Sequence, residues 1–133
     1  MANRPTDGWR GGVEQEARDI ASGKLDTDEA FMSELLPETL LSRTDQALSY
    51  FESAVAALSG PSDEQVFDVV ERVVLSLNAI NDDHNGSGYE TSEREMLCLY
   101  IDETLTEAGI DVEALTTRHG LSRYAITDRW RQW

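Results

Sequence analysis

Acidic side chains, amide oxygens, a histidine and two glycines crowd together at one place in this 133-residue chain, Asn81-Asp82-Asp83-His84-Asn85-Gly86-Ser87-Gly88-Tyr89-Glu90. Carboxylate and amide oxygens are the ligands that hard cations take, and a glycine permits the sharp turn that makes them converge. With Gly86 as that turn glycine, the oxygen donors Asn81, Asp83 and Asn85 fall at alternate positions one, three and five of a twelve-residue loop. The same stretch offers a second chemistry. Asp82, Asp83, Glu90 and Glu93 supply carboxylates for a partner's arginines or lysines, and Tyr89 supplies an aromatic anchor beside them.

The first half of this loop resembles the EF-hand family, which implies a calcium site built on Asn81, Asp83 and Asn85. The likeness stops there. Position twelve, where the family places a bidentate glutamate, is Ser92, and Glu93 comes one residue late; position eight is Gly88. Such a site lacks two ligand oxygens and one negative charge. Asn, Asp and Gly also supply the turn conformations of an ordinary polar connection, so cation binding and a plain loop both stay open.

Other catalytic patterns are weaker. His84 and His119 lie far apart in sequence, in neither a His-x-x-x-His nor a Cys-x-x-Cys arrangement. Cys98 sits at the edge of an apolar helical face, where a thiol is usually a small buried hydrophobe. There is no Gly-x-Ser-x-Gly elbow, and Gly8, Gly11 and Gly12 are followed by no Lys-Ser/Thr of a phosphate loop. The carboxylate pairs Glu14/Glu16, Glu93/Glu95 and Asp102/Glu103 are what a very acidic chain displays on solvated faces. No enzyme and no cofactor are expected.

These residues must be held by helices. Residues 1–12 read as a flexible arm with Trp9 as an anchor, and 13–133 as a single helical domain. A short helix is expected over Val13–Ser22, ended by Gly23. Asp26 or Thr27 caps a segment with Phe31, Met32, Leu35 and Leu36 on one face, and Pro37 interrupts it. Leu48, Phe51, Val55 and Leu58 mark a helix from about Thr44 to Leu58. Ser62-Asp63-Glu64-Gln65 is a capping box opening Asp63–Ile80, whose valines make a wide apolar face. A second box, Ser92-Glu93-Arg94-Glu95, opens a helix with Leu97, Tyr100, Ile101, Leu105 and Ala108 inward and Met96 and Leu99 widening the arc. Asp111 caps a short helix closed by His119-Gly120, and Asp128–Arg131 adds a turn carrying Trp130 and Trp133 onto the core. The fold class is all-α, a single compact orthogonal bundle of four to six helices.

Charge bounds the partners. Eleven basic residues face 26 acidic ones, for a net charge of −15. The last twenty residues hold four arginines against Asp128, a net +3, which leaves −18 on the remainder. Such a field repels nucleic acid and anionic membrane and attracts basic proteins, so Arg129-Trp130-Arg131-Gln132-Trp133 is read as packing rather than as a base-stacking strip. The basic tail is expected to fold back onto the acidic body. No stretch approaches ~20 apolar residues, the start has no apolar h-region, and a single cysteine suits a reducing compartment; a cytoplasmic location is expected.

The functional expectation is a non-enzymatic, acidic protein-binding module for a basic partner. In size, charge and helical make-up the chain resembles the small bacterial immunity proteins, which implies neutralising a toxin. The run Glu90–Cys98 and the ending Leu121–Trp133 resemble a group of small acidic all-α actinobacterial proteins, which implies the fold and no activity. Two alternatives are carried: a calcium- or cation-binding helix-loop-helix module, and a structural or regulatory adaptor that is homodimeric through the aromatic tail. The sequence sets no oligomeric state.

Overall fold

Proline at the first helical position opens the chain's first helix, because proline presets the backbone angle and lacks only an N–H that would be unbonded anyway. In the computed structural model, which describes residues 3–26, 36–84, 86 and 88–133, helix α1 runs Pro5–Ala21. It is followed by α2 (Glu38–Ala56), α3 (Asp63–Asp83), α4 (Thr91–Glu107), α5 (Val112–Arg118) and a 3-10 turn at Arg123–Ala125. The described residues contain no strand, and the fold is an all-α bundle.

Helices α2 and α3 share the largest interface. Leu40, Leu41, Leu48, Phe51 and Val55 of α2 meet Val66, Val70, Val73, Val74 and Leu77 of α3 in one continuous core, each with little or no exposed surface. Full burial of each such side chain contributes about 1.5–3 kcal/mol. The Ser62–Gln65 box forms as read: the serine hydroxyl accepts from the Gln65 N–H at 3.2 Å, and Gln65 Oε1 accepts from the Ser62 N–H at 2.9 Å.

Helix α1 takes in residues 5–12, which corrects the sequence reading of that stretch as part of an arm. Its glycines weaken intrinsic helicity, but tertiary bonds override propensity. Arg4 grips Glu52 through two hydrogen bonds of 2.8 and 2.9 Å, Thr6 and Arg10 both donate to Asp45, and Arg10 reaches Glu38 at 3.2 Å. Glu38, Asp45 and Glu52 recur every seven residues, so they form one acceptor stripe along α2. The order of contacts makes α1 antiparallel to α2. Trp9 is buried, as its anchor role requires.

Three boundaries also move. Glu38 continues without interruption into α2, so that helix starts directly after Pro37 and not at about Thr44. The third helix extends through Asn81, Asp82 and Asp83. The second capping box does not form: α4 starts at Thr91 with extended Glu90 as its N-cap, and no side chain caps it. Met96 and Leu99 are exposed rather than part of the buried arc, and Ala108 is exposed too. Phe31, Met32 and Leu35 lie outside the described residues.

The basic tail folds back onto the body. Arg118 pairs with Asp63 at 2.8 Å, and Arg123 holds Asp102, buried within α4, through two bonds of 2.8 Å. After the 3-10 turn, the expected turn around Asp128–Arg131 is a single one, with the Arg131 N–H on the Thr127 carbonyl at 3.2 Å, and it does not extend into a helix. Trp133 is nevertheless buried, edge-on to Tyr89 with centroids 5.8 Å apart. Trp130 is half-buried, and its carbonyl accepts from Asn78 Nδ2 at 2.8 Å.

Candidate functional site

Asn81 and Asp83 are two residues apart on a helix, so their side chains leave it about 200° apart. They do not converge. Asn81 is buried, and its Oδ1 accepts the Tyr89 N–H at 3.1 Å; its carbonyl accepts from the N–H groups of His84 (3.1 Å) and Gly86 (2.9 Å). One residue thus ends α3 and ties down the backbone entering α4. Asp83 points outward to Arg43 at 2.6 Å. The third proposed ligand, Asn85, lies outside the described residues. Among the described residues, no three His, Cys, Asp or Glu side chains gather to hold a metal ion.

The loop is packed as a clasp. Gly88 is buried, and a Cβ there would lie 3.1 Å from His84 Cβ and 3.2 Å from Leu40 Cδ1. The His84 Nδ1 lies 2.7 Å from the Ile80 carbonyl, which can only accept, so Nδ1 carries the proton; Nε2 lies 3.3 Å from the Thr39 hydroxyl. Both ring nitrogens are engaged within the chain.

The five residues read as a partner surface do not assemble into one. Tyr89 is buried inside the molecule between Trp9 and Trp133, its hydroxyl 2.6 Å from that of Thr44. Burial pushes that hydroxyl up to about 12, with the Thr44 hydrogen bond opposing. Glu93 also turns inward, and its Oε1 has no hydrogen-bond partner among the described residues. The reason is helical phase: Glu93 lies four residues before Leu97, on the inner face of α4. Asp82 and Glu90 remain exposed, and Asp83 is exposed but paired.

Two surface features escape a reading by motif. The first is a cleft of about 580 Å³ between α2 and α4, lined by Glu52, Val55, Tyr100 and Thr104 among others. The Tyr100 hydroxyl donates to Glu52, which Arg4 also holds. The Arg4 bonds, then that of Tyr100, lower the Glu52 carboxyl, while burial and the neighbouring carboxylate raise the Tyr100 hydroxyl. The cluster neutralises itself: the carboxylate has its cation, and the phenol stays protonated. Its residues are distant in sequence, and no spacing rule would have joined them.

The second is the outer face of α4 with the tail beside it. Met96, Leu99 and Tyr124 are 40%, 48% and 62% exposed. A groove of about 380 Å³ runs alongside, lined by Glu95, Cys98, Leu99, Tyr124 and Arg131. Arg131 is held by Asp128 at 3.3 Å, lies 3.6 Å from the half-buried Cys98 sulfur and stacks over Trp133. The three-residue step of Met96 and Leu99 puts them on a shared face in the sequence, but only the structure shows that face to be bare.

No protein-family model matches the chain, and no curated protein or solved structure matches it either. No helix among the described residues is long and apolar enough to cross a membrane.

Proposed function

We propose that this chain is a non-enzymatic binding module for a basic protein partner, working as an immunity or inhibitor protein works, by occupying and neutralising a cationic surface. The observation that supports the reading is how charge is spent. Arg4, Arg10, Arg43, Arg72, Arg118, Arg123 and Arg131 are each in an ion pair with the chain's own carboxylates. Glu64, Asp82, Glu90, Glu95 and Glu103 face solvent with no cation on them among the described residues. These carboxylates put uncompensated negative charge on the described surface of a chain whose net charge is −15. A field of this sign accelerates encounter with basic proteins and rejects acidic ones.

The test is affinity capture of the tagged chain from an extract of its source organism at low and moderate salt, with mass spectrometry of what is retained. A stoichiometric basic protein, released as salt rises and re-binding the purified chain one to one, is expected. Retention of nothing, or of acidic proteins only, overturns the proposal.

A further inference from the structure

We propose that the outer face of α4, with the groove beside the tail, docks a basic amphipathic helix of the partner; this rests on the basic-partner reading above. Ser92, Glu95, Met96, Leu99 and Glu103 follow three- and four-residue steps and share one face of α4. All five are exposed, whereas Leu97, Ile101 and Leu105 on the opposite side of the same helix are fully buried. A single exposed leucine is ordinary. Here Leu99 lies beside Met96 along α4 and lines a groove with Tyr124. Grouped exposed apolar side chains with a polar rim mark interaction sites.

The frame around them selects the occupant. Glu95 and Glu103 bracket Leu99 four residues to either side and have no partner among the described residues. Their backbones are about 12 Å apart along the helix axis. Two of the tail's arginines are held by other carboxylates, Arg131 by Asp128 and Arg123 by Asp102. The face therefore offers an apolar centre between two free carboxylates. A helix with apolar side chains at three- and four-residue spacing, and lysine or arginine about two turns apart on either side, matches both features. A polybasic strand without apolar residues would leave Met96 and Leu99 wet. A second copy of this chain would bring Glu95 and Glu103 against their own kind, because a twofold interface pairs a surface with itself.

The probe is an 18-residue capped peptide of leucine and lysine, leucines on one helical face, titrated into the isotope-labelled full chain at low salt. Two control peptides replace lysine by glutamate or leucine by serine. The largest amide shifts are expected across residues 92–103 and 121–131. Leu99→Asp, at an exposed site, should weaken binding about 10-fold or more. Glu95→Gln with Glu103→Gln should weaken it several-fold at low salt, with the difference closing at high salt. Binding that maps elsewhere and ignores Leu99→Asp overturns this surface and leaves the basic-partner reading standing. Lack of binding by the lysine peptide at any site overturns this docking surface, while the basic-partner reading stands or falls with the capture experiment. A glutamate peptide that binds as well overturns the charge argument, and a chain that self-associates until Leu99→Asp disperses it makes a second copy the occupant.

Discussion

Replacing Asn81 by alanine removes the acceptor for the Tyr89 N–H, in a position only 2% exposed. Water does not reach the stranded donor, so the cost is that of a buried unsatisfied amide, about 1–3 kcal/mol. For a domain of this size each kcal/mol lowers Tm by about 3–4 °C, which sets the expected fall at about 7 °C. In a urea titration the midpoint should drop with an unchanged slope, since the surface exposed on unfolding stays the same. Asn81→Asp separates the clasp from a cation loop. In a calcium loop an added carboxylate strengthens the site, and millimolar calcium raises the Tm of that variant. In the clasp it buries a charge against one N–H, so Asn81→Asp is destabilised and calcium does not restore it. An Asn81→Ala protein melting within about 2 °C of wild type, or calcium rescue of Asn81→Asp, would refute the clasp.

Two further outcomes follow from the same packing. Tyr89 titrates near 12 when folded against about 10 when unfolded, so its contribution is complete below pH 10 and is lost as pH rises from 10 through 12, up to ~3 kcal/mol; Tyr89→Phe should flatten that part of an alkaline stability curve measured by urea titration, and an unchanged curve would show the hydroxyl plays no part. A Cβ at Gly8 or Gly11 would meet nothing within 4 Å, and both sit inside α1 with ordinary helical backbone, so Gly8→Ala and Gly11→Ala should each stabilise by about 0.5–1 kcal/mol, readable as a higher Tm.

Periodicity carried the reading where burial follows local pattern. The α3 valines and the Ser62–Gln65 box behave as their spacing requires, because a box is closed by residues three apart and needs no distant partner. The second box had the right letters but the wrong register. Tyr89 is drawn into the core and its N–H is taken by Asn81, which leaves Glu90 extended and lets the helix start at Thr91. The N-terminal helix was hidden for the opposite reason. Gly8, Gly11 and Gly12 weaken it locally, while the bonds from Arg4, Thr6 and Arg10 to Glu52, Asp45 and Glu38 that hold it cross from another helix. The polar loop was legible as a place where something specific happens, but the use of Asn81 depends on where Tyr89 N–H lies in space. The exposed α4 face was present in the sequence as Met96 and Leu99 and was absorbed into a core arc, since a helix apolar over a wide sector reads the same whether its edge is covered or bare.

The outward acidic field is what is proposed to select a basic partner. The most direct test of that selection is the association rate constant between the purified chain and the basic protein it captures, measured by stopped flow from about 10 to 150 mM salt, where the screening length shortens from about 30 to 8 Å. Steered encounter predicts a rate that falls about 10-fold or more across that range while the dissociation rate changes little. An association rate indifferent to salt would contradict the claim and leave the acidic surface as a matter of solubility alone.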